Sequence, residues 1–235
     1  MPHPFRLFGP DHWASLLVTL GLSLAFYLRI RQRGWVTADH RRFERNLGAF
    51  MVAYEGFKFL VRPLFLGEPW QTVLPLHLCQ LAVIVLGLML MTRTYLYFEI
   101  AYFWGVGGGT MAILTPDLAY GFPDPQYLMH NLTHVLIYAG VIYGLTVFRF
   151  RPTWHSFGVS FGTAFLLMVL VFPLNYWLGH GANYLFLRYR PQAGSLLDFL
   201  PEPPWHIPYV VLIALVIYFL SFLPFLKTAM KPAHE

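Results

Sequence analysis

Seven times in one chain, a mainly apolar run stands between short polar or proline-bearing connections, and each run is close to the 20 or so residues a helix needs to cross a bilayer. The runs cover residues 11–30, 45–66, 73–91, 95–115, 126–148, 156–178 and 205–226. A backbone in lipid must satisfy its own hydrogen bonds, so such runs are predicted to be helices. The second run is the least uniform, because it holds Glu55, Lys58 and Arg62. Helix breakers mark the boundaries: TPD at 115–117, FPDP at 122–125, RP at 151–152 and PEPP at 201–204. Only 11% of the 235 residues are charged, against about 25% in an ordinary soluble domain. The expected fold is all-α: a polytopic membrane bundle of seven transmembrane helices forming a single domain over residues 1–235, with no internal repeat. The opening MPHPFRLFGPDHW has no basic n-region, and no cleavable leader is expected.

The formal net charge of +5 suggests nucleic acid only until the charges are placed. The connection after the first run holds Arg31, Arg33, Arg41 and Arg42, flanked by Arg29 and Arg45; Arg93, then Arg149 and Arg151, then Lys227 and Lys231 fall on the same side. The other side has Arg6, Arg188 and Arg190. Basic residues concentrate on cytoplasmic loops, so the N-terminus is expected outside, the C-terminus in the cytoplasm, and the protein in the cell membrane as a multi-pass chain. No nucleic-acid partner is expected. The longest outer connection, about 179–204, is expected to carry short structure of its own.

The only cysteine, Cys79, excludes an internal disulfide and a multi-cysteine zinc site. It sits in LPLHLCQL, residues 74–81, beside His77 and Gln80. At 1.5 Å per residue, His77 and Cys79 lie about one to two turns below the outer surface, level with His130, Asn131 and His134 of the fifth run. Lys58 and Arg62 occupy the outer half of the second run; Asp117, Asn175, His180, Asn183 and His206 gather at the same end. Polar groups are unfavourable in lipid, so this layer should face the bundle interior. Pro75 suits a first helical turn, which places Cys79 near a helix N-terminus, where a thiolate is favoured. His77 should point some 200° away from Cys79, so a base for the thiol must come from another helix. His130 and His134 share one face, with Asn131 at i+3 from His134. A cysteine, a histidine and a third orienting group form the general pattern of acyl-transfer nucleophiles. The bland alternatives are a small buried thiol and histidines that fix helix packing; a metal site has only one cysteine and two histidines to draw on. Glu55 and Lys58 can pair as a staple, and Arg62 with Lys58 can hold a phosphate. GVGGGT at 105–110 lacks the strand and the lysine of a phosphate loop and reads as close helix packing. The N-L-T triplet at 131–133 matches a glycosylation sequon but falls inside a helical run.

LPLHLCQL, YFWGVGGGTMAILTPDLAYGFP, the helix with His134, GANYLFLRYRP and SLLDFLPEPPW, as an ordered set over residues 44–226, resemble the YwaF-like integral membrane proteins, the family that includes the animal transmembrane protein 164. The resemblance implies a polytopic, cysteine-dependent acyltransferase that moves a fatty acyl chain from a phospholipid to a lysophospholipid. It places the family's cysteine on Cys79 and its histidine on His134; His130 matches no motif position. On this reading His134 takes the Cys79 proton, a thioester forms, and Asn131 or His77 orients the imidazole or polarises the ester. Gln80, Lys58, Arg62, Asn183, Tyr184 and His206 are expected around the substrate, and no cofactor is needed. The rivals are a lipid hydrolase with the same residues and a non-enzymatic transporter or ligand sensor.

Overall fold

The computed structural model describes residues 3–32, 35, 39–191 and 196–229; Arg33 and Lys231 lie outside the described residues. The described part is helical: α1 Pro10–Ile30, α2 Arg41–Leu66, α3 Leu78–Thr92, α4 Tyr95–Phe103, α5 Gly109–Leu114, α6 Pro125–Thr146, α7 Trp154–Leu178, α8 Ile207–Phe222 and the short α9 Leu226–Ala229. A π-turn, Trp104–Gly108, joins α4 to α5, so the fourth apolar run is one interrupted rod. The only sheet-like pairing among the described residues is an isolated bridge between Pro4 and Tyr120.

Side-chain contacts fix the helix directions. In both α1 and α6 the contacts ascend together: Tyr127 donates to the Asp11 carbonyl, and Ser15 donates to Asn131. Helices α3 and α6 are also parallel, because Gly140 lies against Leu86 and Gly144 against Met89. Helix α2 runs against α3, with Gly48 beside Leu90 and Gly87 beside Val52. Helix α7 runs with α4, through Ser156 on Glu99 and Trp104 on Ser160. Helix α8 opposes α4, through Tyr102 on the Ser221 carbonyl and Gly107 beside Ile217. The chain therefore alternates in direction at each connection. Helices α1, α3, α6 and α8 all begin at one end of the bundle, the upper end.

Helices α2 and α3 approach most closely. A Cβ on Gly48 would stand 2.4 Å from the Gly87 carbonyl oxygen, and one on Gly87 2.8 Å from that of Gly48. No side chain fits between them, and the two backbones carry the core formed by Met51, Val83, Leu86, Leu90, Phe98, Ile137 and Tyr143. At the lower end, Arg93 bonds Glu44 at 2.7 Å and Asp39 at 2.8 Å, and Tyr143 donates to Glu44 at 2.9 Å. That carboxylate is buried, with Arg41 also 3.8 Å away, so the network that satisfies its charge pins α2, α3 and α6 together. The Arg93 hydrogen bond holds the exposed Asp39 carboxyl below its ordinary range.

The outward faces are apolar. Leu17, Leu64, Phe65, Leu166, Leu170, Leu212 and Leu220 are exposed, while Trp13, Trp70, Trp177 and Trp205 ring the upper end, the pattern of a membrane–water interface. Helices α1, α6, α7, and α8 continued to Phe225, are long and apolar enough to cross a bilayer. This is a helical membrane protein.

The third helix begins five residues later than its apolar run. Residues 70–72 form a 3₁₀ turn and Pro75 lies in a bend, so α3 starts at Leu78. Pro75 therefore precedes the first turn instead of occupying it. The connection after α7 carries two 3₁₀ turns, Tyr184–Phe186 and Leu196–Phe199.

Candidate functional site

Helix α3 starts where it does because His77, in an extended conformation (φ −79°, ψ 143°), stands ahead of it as N-cap and gives its N–H to the Gln80 side-chain oxygen at 3.2 Å. Cys79 is thus the second residue of the helix, within the turn whose N–H groups have no helical acceptor. The late start brings the thiol nearer to the positive helix end than the apolar run suggests. His77, outside the helix, turns its ring to Tyr184 and Phe186, with centroids 5.3 and 5.6 Å away.

Asp124 opens α6 by accepting the Gln126 N–H at 2.9 Å, with Pro125 as the first helical residue. One turn in, the His130 and His134 rings lie tilted against each other with centroids 4.3 Å apart. The Nδ1 of His134 lies 2.7 Å from the His130 carbonyl oxygen. A carbonyl can only accept, so Nδ1 carries the proton and Nε2 is left as a bare lone pair. That Nε2 is buried with no hydrogen-bond partner, as is the Nε2 of His130.

The α3–α6 register sets the depth of the thiol. Seven residues before Leu86 and Gly140 stand Cys79 and Thr133; ten before Met89 and Gly144 stand Cys79 and His134. The sulfur and the imidazole therefore belong to one layer. Lys58 of α2 joins it: Nζ lies 2.8 Å from Glu55, donates to Thr133 at 2.9 Å, and sits 5.0 Å from the Tyr54 ring centroid. Its charge reaches Cys79, His77, His130 and His134. Among the described residues, no side chain is hydrogen-bonded to the Cys79 sulfur.

Most of the other expected site residues have their polar atoms engaged elsewhere. Asn131 accepts from Ser15 and Thr19 and donates to the Tyr127 carbonyl at 2.8 Å, so it ties α1 to α6 instead of touching His134. Arg62 is held by both oxygens of Glu68 at 3.0 and 2.6 Å. Asn183 accepts from the backbone of Arg188 and Tyr189. The Tyr184 hydroxyl, pushed up to about 12 by burial, donates to Gln71 O at 2.8 Å and accepts from Leu74 N at 2.7 Å. His206 Nε2 bonds Phe186 O at 2.8 Å, while its Nδ1 is buried without a hydrogen-bond partner. Together with Asn175, which bonds both backbone groups of Tyr184, these residues build a cap over the start of α3. Among the described residues, no three His, Cys, Asp or Glu side chains are placed to hold a metal ion.

Sequence reasoning missed Thr133, Tyr138 and His12. Tyr138 stands one turn beyond His134, the one signal that sets it apart. Its hydroxyl is 3.1 Å from Thr110. His12 accepts from the Phe8 N–H at 2.9 Å and bonds the Ile113 carbonyl at 2.8 Å, fixing α1 to α5.

The model of the TMEM164 family matches residues 7–222. An uncharacterised protein of Treponema pallidum (strain Nichols) is 31% identical over 187 residues, 80% of this chain and 76% of that protein. No solved structure matches the chain. A family match over residues 7–222, nearly the whole helical bundle, shows that this chain belongs to the TMEM164 family.

Proposed function

We propose that this protein is a multi-pass, cell-membrane acyltransferase that carries a fatty acyl chain from a phospholipid to a lysophospholipid through a thioester on Cys79. The observation that supports it best is the bare, buried Nε2 of His134 in the same layer as a thiol on the first turn of α3. A buried acceptor without a donor is unfavourable, and it is tolerated where a reacting proton is to be received.

In the proposed reaction, His134 Nε2 takes the thiol proton as substrate arrives and draws the two side chains together; apo catalytic pairs often tighten only then. Lys58, already near the sulfur, stabilises the thiolate, and the positive end of α3 does the same. The thiolate attacks the ester carbonyl and a C–S bond forms. The departing lysophospholipid alkoxide recovers the proton from His134. In the second half, His134 deprotonates the acceptor hydroxyl, which attacks the thioester and restores the thiol. Arg62 contributes to phosphate recognition only by exchanging its Glu68 carboxylate for the incoming phosphate; the cap residues Asn183, Tyr184 and His206 shape the upper wall. The reading places all seven helical rods across the membrane, with the arginine-rich lower end in the cytoplasm.

Product analysis tests the proposal. Protein in nanodiscs is given a phosphatidylcholine with an isotopically labelled acyl chain and an unlabelled lysophosphatidylethanolamine. Labelled phosphatidylethanolamine is expected from the native chain, and none from Cys79→Ala. Labelled free fatty acid alone would identify a hydrolase; neither product would remove the enzymatic reading.

A further inference from the structure

The four glycines of GVGGGT differ in what surrounds them; Gly108 faces open space, with nothing within 4 Å of an added Cβ. Gly105 and Gly107 are packing residues: a Cβ would stand 2.7 Å from Ile137 in the first case and 2.9 Å from Ile217 in the second. Gly109 is different. The nearest atoms to a Cβ there would be His134 Cδ2 at 3.7 Å, Ile137 Cγ2 at 3.8 Å and the Tyr138 hydroxyl at 4.0 Å, all ordinary contacts. Its backbone is ordinary helix, φ −63° and ψ −40°. Neither strain nor crowding requires glycine, and glycine within a helix is about 1 kcal/mol less favourable than alanine. What glycine provides at 109 is space between an imidazole and a phenol.

Two observations indicate what the space receives. Nε2 of His134, covalently next to the Cδ2 that faces Gly109, is buried and has no partner. Across the gap, the Tyr138 hydroxyl is held by Thr110 Oγ1 at 3.1 Å and lies within electrostatic reach of Cys79. The π-turn Trp104–Gly108 immediately precedes. Such turns recur at functional sites, and the extra residue rotates Gly109 and Thr110 about 100° round the helix.

The geometry points to Gly109, Thr110 and Tyr138 as the corner that receives the ester carbonyl, with the Tyr138 hydroxyl donating to its oxygen. This assignment rests on the acyl-transfer reading and fills a place in it that Asn131 and His77, engaged elsewhere, leave open. When the Cys79 thiolate adds to the carbonyl carbon, the π electrons move onto oxygen. Thr110 donates to the phenol oxygen, Tyr138 donates to the new oxyanion, and the alkoxide leaves with the proton held by His134.

Two rates separate this role from a structural one: acylation of Cys79 by phosphatidylcholine in nanodiscs, measured by intact mass, and alkylation of Cys79 by iodoacetamide, which forms no oxyanion. Tyr138→Phe is expected to slow acylation about 100-fold, the usual effect of losing one oxyanion donor, and to leave alkylation unchanged. Thr110→Val acts in the same direction and Thr110→Ser restores the rate. Gly109→Ala is expected to keep or raise the melting temperature while slowing acylation. Native-rate acylation in Tyr138→Phe, or an equal fall in both rates, would overturn the assignment alone. No acylation of the native protein would overturn the acyl-transfer reading and this one together.

Discussion

At the scale of the residue, the buried layer mixes two demands that a sequence cannot separate. Polar side chains deep in an apolar helix either react or join helices. Asn131, Asn183 and Tyr184 stand out in the sequence for the same reason as Cys79 and His134, yet their polar atoms are taken up by Ser15 and by the upper cap; His206 gives one ring nitrogen to the Phe186 carbonyl. Depth counted along the helices places Cys79 and His134 at one level, as the register of Gly140 on Leu86 and Gly144 on Met89 also does, because rise per residue is constant. Which ring nitrogen is free depends on the His130 carbonyl, and that is a property of the folded helix. Substitutions at His134 and Lys58 probe the two demands separately. His134→Ala is expected to slow acylation of Cys79 by phosphatidylcholine, read by intact mass, by about two to four orders of magnitude, the loss of a general base; an unchanged rate would mean that the imidazole does not act on the sulfur. Lys58→Met strands Glu55, which is 2% exposed, and should lower stability by roughly 3–5 kcal/mol, the effect of breaking a buried pair from one side. Adding Glu55→Leu removes the orphaned charge and should recover most of the loss in thermal unfolding.

At the scale of the element, all seven apolar runs became helical rods, because lipid allows the backbone no alternative. Their ends were less legible. Pro75 read as a first-turn proline, but the 3₁₀ turn at 70–72 and the His77 cap move the start of α3 to Leu78. The π-turn at 104–108 has no sequence signature beyond its glycines. The packing of α2 on α3 depends on Gly48 and Gly87. Gly48→Val would force its side chain into the Gly87 carbonyl and Met91, and a loss of thermal stability above about 3 kcal/mol is expected from overpacking that only a helix shift can relieve. Arg93→Ala leaves the buried Glu44 with Tyr143 as its main remaining donor. The expected loss is roughly 2–3 kcal/mol, at or just below the low end for a buried pair because Arg93 is itself half exposed. A melting temperature unchanged in either variant would contradict the packing described.

At the scale of the whole molecule, the sparse charges, the apolar outer faces and the ring of tryptophans define a body dissolved in lipid, and the proposed reaction requires the Cys79 layer to lie near the depth of a phospholipid ester. Cysteine accessibility mapping tests the orientation: in a Cys79→Ala background, Arg42→Cys should be labelled by a membrane-impermeant maleimide only after the cell membrane is opened, and Arg188→Cys before. The account as a whole depends on one covalent event. Intact-protein mass and peptide mapping, after incubation in phosphatidylcholine nanodiscs, should find one added fatty acyl group on residue 79, removable by hydroxylamine and absent from His134→Ala. An acyl group mapped to any other residue, or a native chain of unchanged mass under conditions in which lipid product accumulates, would contradict it.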